Sequence, residues 1–160
     1  MLERLAPDHF NRSSPTAVME AVYLGRIDAG RLRELAPLVF TAASQGDAVA
    51  RSLIDELADE IVATATAAIR RLHLTTRDVE VILGGGVFRS NDARLLARIK
   101  TGIETVAPKA VMRRLVAPPV LGAALIGLDE VHATRLARER LRAKLTDRRL
   151  SLLKGGRRPK

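Results

Sequence analysis

The chain has no cysteine and no tryptophan, and its aromatic residues amount to one tyrosine and three phenylalanines. Without cysteine, these residues can build no disulfide scaffold, thiolate metal site or iron–sulfur cluster. Long apolar runs are missing too. The longest uncharged stretch, Leu115 to Leu128, has 14 residues and includes Pro118 and Pro119, whereas a membrane-spanning helix needs about 20 apolar residues. Met1-Leu2-Glu3-Arg4 does not lead into the apolar stretch of a secretory signal. These absences make a cytoplasmic protein without a membrane partner the expectation. What the chain does have is hydrophobic material, 47% of 160 residues. That is enough for a packed core, and the length fits one domain.

Charge is unevenly placed. Residues 131–160 hold eleven basic side chains against two acidic ones, Glu139 and Asp147, which accounts for the whole formal charge of +9; residues 1–130 carry 16 of each sign. A basic tail can contact nucleic acid or an anionic membrane. This one has no aromatic residue for base stacking. It has no Gly-rich RNA-binding signature beyond Gly155-Gly156, and no Trp or Phe for a membrane-surface face. It reads as a basic helical extension with a frayed end, and nucleic acid is not the expected partner.

Residues 1–14 read as irregular, with Pro7, Asn11 and Ser13-Ser14 as breakers. Ser14-Pro15 opens a helix that Gly25 ends, giving Pro15–Leu24. Asp28 can cap a helix over Ala29–Leu35, and Pro37 opens another through Ser44. After Gly46, Asp47 can cap the longest helix, from Ala48 to about Leu72. Its apolar residues Ile54, Leu57, Ile61, Ala65, Ala68 and Leu72 share one face. Val79–Leu83 and Val111–Val116 read as strands from their β-branched content. Between them lies a helix from Asp92 to about Val106, capped by Ser90 or Asn91. Pro118-Pro119 opens a last helix that continues toward the basic tail. The expected class is α/β and helix-rich, with about two strands. A sheet that stands alone normally needs three or more, and a buried strand needs neighbours on both sides. The chain therefore reads as part of a larger sheet.

Val81-Ile82-Leu83-Gly84-Gly85-Gly86-Val87-Phe88-Arg89-Ser90 is a strand, a triple glycine and a helix start. Glycine permits a sharp turn and leaves the backbone open to a ring or a phosphate. A helix N-terminus behind it would offer free N–H groups. A tight turn with no ligand explains the pattern about as well. No Gly-Lys-Ser/Thr follows, so it is no P-loop, and the spacing is not that of a dinucleotide fingerprint.

The wider pattern is more specific. Leu35-Ala36-Pro37-Leu38-Val39-Phe40 is followed by Ala42-Ala43-Ser44-Gln45-Gly46-Asp47 and the long helix. Leu83-Gly84-Gly85-Gly86-Val87-Phe88 is followed by Pro118-Pro119-Val120-Leu121-Gly122-Ala123-Ala124. Together these resemble the C-terminal half of the N-acetylglucosamine kinase and BadF/BadG/BcrA/BcrD-type ATPase family, over about Leu5 to Leu128. The resemblance implies a partial ribonuclease-H-like, actin-like ATPase domain over residues 1–130, and 131–160 lie outside it as an extended C-terminal helix and tail. It implies ATP, with magnesium, as cofactor. Gly84, Gly85 and Gly86 would pack on the adenosine, and Ala43 would lie near the adenine on the opposite wall. Gly122 and Ala123 would sit in a connecting helix at the interdomain hinge. The family's Asp-Gly-Gly-Gly-Thr hairpin, second phosphate loop, sugar contacts and catalytic aspartate have no counterpart here. No catalytic residue is therefore assigned, and the chain reads as beginning inside a domain. An amino sugar would bind only with the absent half. A second copy or a separate chain would complete the sheet. The absence of cysteine favours the sugar-kinase branch over the iron–sulfur activators.

His9, His73 and His132 lack any ligand spacing and read as surface or helix-end residues, so no metal site is expected. Asp55, Glu56, Asp59 and Glu60 read as an exposed acidic helix face with Arg51 one turn before Asp55. Phe40 and Phe88 read as core.

Overall fold

The computed structural model describes residues 1–115 and 117–146. The helices are α1 (Leu2–His9), α2 (Pro15–Tyr23), α3 (Ala36–Ser44), α4 (Ala48–Arg71), α5 (Ala93–Val106), α6 (Pro119–Glu130) and α7 (Arg135–Lys144). Two 3-10 segments cover Ala29–Leu35 and Gly86–Ser90. The strands β1 (Val79–Leu83) and β2 (Ala110–Arg114) flank α5 and pair in parallel. The class is thus helix-rich α/β. The chain divides into two units, Met1–Arg113 and Arg114–Lys160.

Helix boundaries follow local chemistry. Ser14, Asp28, Asp47, Asp92 and Thr134 each accept a hydrogen bond from a backbone N–H two or three residues on. Five helices end in one motif, with a left-handed residue just past the end: Asn11, Gly25, Gly46, His73 and His132. After α4, for example, the N–H of His73 donates to the carbonyl of Arg70 and that of Leu74 to Ile69, at 3.0 and 2.9 Å. Two of the three histidines therefore terminate helices. The third, His9, closes α1 and pairs through Nε2 with Glu34 at 2.8 Å.

Three expectations need correction. Residues 2–9 form α1 instead of irregular chain. Its first turn is held from a distance: the Leu2 N–H donates to Asp47 Oδ2 at 2.8 Å, while Asp47 Oδ1 accepts from Ala50 at 2.9 Å. One carboxylate thus caps two helices. The Met1 amino group and these two N–H groups hold its pKa far below the usual carboxylate range. Second, the buried face of α4 is turned toward Ala50, Ile54, Ala58, Thr66 and Ile69, leaving Ala68 and Leu72 exposed. The cause is α5, which packs along α4. Third, the last helix does not run on into the tail. His132 is left-handed at φ 51°, and Thr134 starts a separate helix, α7. The frayed end expected beyond residue 146 lies outside the described residues, as does Val116 of the second expected strand.

In the first unit, Ile54, Leu95, Ile99 and Ile103 are fully buried among Ala42, Ala43, Ala58, Ile69 and Leu83. Leu95, Ile99 and Ile103 recur every four residues, so α5 presents one stripe to this core. Helices α4 and α5 run in the same direction, as their successive pairs show. Arg51 meets Asp92 at 3.3 Å, Asp55 meets Arg94 at 2.5 Å, and Asp59 takes both Nε and Nη2 of Arg98 at 2.7 Å. The acidic face of α4 is thereby matched to α5, and the Arg98 guanidinium holds the Asp59 carboxyl below its ordinary range. Below the ladder, the helices meet at Gly102. A Cβ there would stand 2.6 Å from both methyls of Val62. A smaller cluster, Phe10, Val18, Ala21 and Ile27, packs α1 and α2 together.

Val81, Leu83, Ala110 and Met112 turn toward the core, and Glu80, Ile82, Val111 and Arg113 turn away. On the outward face Arg113 pairs with Glu80 at 2.6 Å, while Ile82 and Val111 are 52% and 49% exposed.

Candidate functional site

The first unit contains a solvent-open groove of about 990 Å³ between α3 and the turn that follows β1. One wall is the α3 face bearing Pro37, Phe40, Thr41 and Ser44, which recur at helical spacing. The other is Gly86, Val87, Arg89 and Ser90, with Asp92 at its end. Arg33, from the 3-10 segment before α3, closes one side.

The turn is set by its glycines. Gly85 has φ 115° and ψ 171°, a conformation open essentially to glycine alone. It sends the chain from β1 into the 3-10 segment, which the Ser90 hydroxyl steadies by donating to the Val87 carbonyl at 2.8 Å. Gly86 differs: its φ is ordinary, and a Cβ built on it would meet nothing within 4 Å. Among the described residues nothing requires glycine at this position. The missing side chain leaves bare backbone facing the groove.

The expected helix N-terminus behind the glycines is not available to an anion. A 3-10 segment intervenes, Asn91 is left-handed at φ 53°, and α5 starts only after Asp92, whose Oδ1 accepts from the Leu95 N–H at 2.8 Å. A carboxylate occupies the place an anion would take. Positive charge comes from side chains instead. Arg33 and Arg89 line the groove with no carboxylate partner among the described residues, and its one carboxylate, Asp92, is engaged with Arg51. On α3 the hydroxyls of Thr41 and Ser44 donate to the carbonyls of Pro37 and Thr41, at 3.0 and 2.7 Å. Their oxygens keep lone pairs for a ligand donor. Phe40 is half-buried, packing against the core while also lining the groove.

Of the residues singled out from the sequence, Gly86 lines the groove, and Gly84 and Gly85 lead into it. Ala43 belongs to the opposite helix, but its own side chain is 5% exposed and sits in the core; Phe40, Thr41 and Ser44 take the groove side. Gly122 and Ala123 are exposed on α6 in the second unit, and a Cβ at Gly122 would meet nothing within 4 Å. Sequence reading missed Arg33 and Arg89 and placed Phe40 in the core alone. The spacing Pro37, Phe40, Thr41, Ser44 was the signal that could have found the α3 wall.

Among the described residues no three His, Asp or Glu side chains cluster as metal ligands, and no helix is long and apolar enough to cross a membrane. The chain matches no protein-family model, no curated protein and no solved structure.

Proposed function

We propose that the groove between α3 and the glycine turn binds the adenosine end of ATP. The chain would then act as the nucleotide-binding portion of an ATP-dependent sugar kinase of the N-acetylglucosamine kinase type. The observation that carries the reading is Gly86, where the chain leaves backbone bare in a groove although its own packing does not ask for it. A flat base can pack between that backbone and Phe40, and Arg33 and Arg89 can meet phosphate oxygens with their guanidinium forks. The motif resemblance supplies the reaction class and the partial ribonuclease-H-like domain. In such a kinase the γ-phosphoryl passes to a sugar hydroxyl, and catalysis is mostly positioning and charge stabilisation with magnesium. The sequence contains no counterpart of the phosphate hairpin, and the described residues hold no carboxylate cluster for the metal. Magnesium and the amino sugar would be held by the other half. The chain alone is expected to bind ATP without turning it over on N-acetylglucosamine. Titration of ATP into the purified chain tests the binding, and absence of saturable binding overturns it. Phosphoryl transfer to N-acetylglucosamine by the chain alone would contradict the assignment of roles.

A second reading has its own support. Parallel sheets are normally covered on both faces, whereas β1 and β2 expose Ile82 and Val111 and form only two strands among the described residues. That pattern suits a non-catalytic interaction module or one half of a split enzyme, whose sheet is completed by a second copy or a partner chain. A monodisperse, stable monomer with well-dispersed amide resonances would speak against it.

A further inference from the structure

Residues 131–160, within the second unit, account for the chain's whole charge surplus, and the groove proposed for nucleotide lies in the first unit. The surplus is only partly neutralised. In α7, Arg135 Nε pairs with Glu139 at 2.8 Å and Arg138 Nε with Asp129 at 2.9 Å. Those pairs use the helix's first half. In its second half Arg140, Arg142 and Lys144 are exposed and have no carboxylate partner among the described residues. Arg140 and Lys144 stand one turn apart, about 6 Å along the axis, and form a continuous ridge. The helix is anchored, since Thr134 caps it and it packs against α6 with Ala137 and Leu141 half-buried. Its free cations therefore stand on a fixed support.

We propose that α7 is a binding surface for double-stranded nucleic acid that reads the phosphate backbone and not the bases. Three observations select this partner. Four of the five basic residues of α7 are arginine, whose fork matches phosphate oxygens in pairs. The segment has no aromatic residue, so base stacking on a single strand is not offered, but phosphate contacts to a duplex do not need it. A membrane-surface helix requires a broad apolar face, whereas Leu136 is the one large apolar side chain exposed on α7. Binding of this kind is driven by counterion release and is independent of sequence.

The test is a titration of the full chain against a labelled duplex of mixed sequence over a series of salt concentrations. The expected result is an affinity that falls steeply with salt and does not change with duplex sequence. Replacing the three free cations together (Arg140→Gln, Arg142→Gln, Lys144→Gln) is expected to lower the slope of log affinity on log salt by about 2.7, since each phosphate contact contributes about 0.9. Glutamine is nearly as good a helix former as arginine, and an unchanged circular dichroism spectrum checks that α7 remains. Replacing Arg140 and Arg142 by lysine should keep most of the slope. The proposal is overturned if the glutamine variant binds like the parent, or if affinity does not respond to salt. It is also overturned if anionic phospholipid vesicles or polyglutamate of equal charge compete better than unlabelled duplex.

Discussion

Two glycines separate two regions of the first unit. At Gly102 the helices α4 and α5 meet so closely that a Cβ would stand 2.6 Å from the Val62 methyls; at Gly86 a Cβ would enter open space. The α4–α5 seam is filled, with Ile99 and Ile103 buried beside it and arginine–carboxylate pairs above it. The groove beside α3 has a more polar lining and is filled by none of the described residues. Glycine in the seam serves packing; glycine in the groove, on the function proposed above, serves a ligand. Stability and ligand affinity should therefore separate cleanly between the two regions.

The largest effect should come from the seam's core. Ile99→Ala removes a fully buried side chain and should cost about 2–5 kcal/mol by denaturant titration, with nucleotide affinity per folded molecule unchanged. Gly102→Ala overpacks the seam and should cost about 1–3 kcal/mol. Gly85→Ala forces a side chain into the φ 115° backbone and should cost a similar 1–3 kcal/mol or so, but it should also lower nucleotide affinity because the turn shifts. Gly86→Ala is the informative contrast. Its stability should be unchanged or raised by about 0.4–1 kcal/mol, while ATP affinity falls. An affinity as high as the parent's would remove the argument for a ligand against that backbone.

The smallest effect is in acid. Arg31, and next His9, hold the Glu34 carboxyl at about 2, and Arg98 lowers Asp59. A carboxyl depressed in the folded state binds its proton more readily when unfolded. Its contribution is therefore complete above the ordinary carboxylate range and is lost as pH falls toward 2. Melting temperature should decline over that range. Asp59→Asn and Glu34→Gln should each flatten the decline, and a profile identical to the parent's would exclude these pairs as its source.

Much of the helical frame was legible because its signals are local. Ser14, Asp28 and Asp47 cap the helices they precede, and Gly25 and Gly46 end theirs. What was not legible depends on residues far apart in the chain. α1 is held by Asp47, 45 positions away. The buried face of α4 is set by α5, which packs along it from later in the chain. The acidic run on α4 finds its arginines about 39 residues on. The groove shows the same division. The glycine turn was visible in sequence, whereas Arg33, Phe40 and Arg89 become one surface only when α3 packs beside the turn. Even α5 took its cap from neither expected residue: Asn91 is left-handed, and Asp92 caps the helix.

The most direct measurement is an amide chemical-shift titration of the full chain with ATP. It locates the ligand as well as detecting it, which matters because α7 can attract any phosphate through its free cations. Saturable shifts centred on Gly86, Val87 and Phe40 are expected, and they should persist when the cations of α7 are replaced. Shifts confined to α7, or none at Gly86 and its neighbours, would contradict nucleotide binding in the groove.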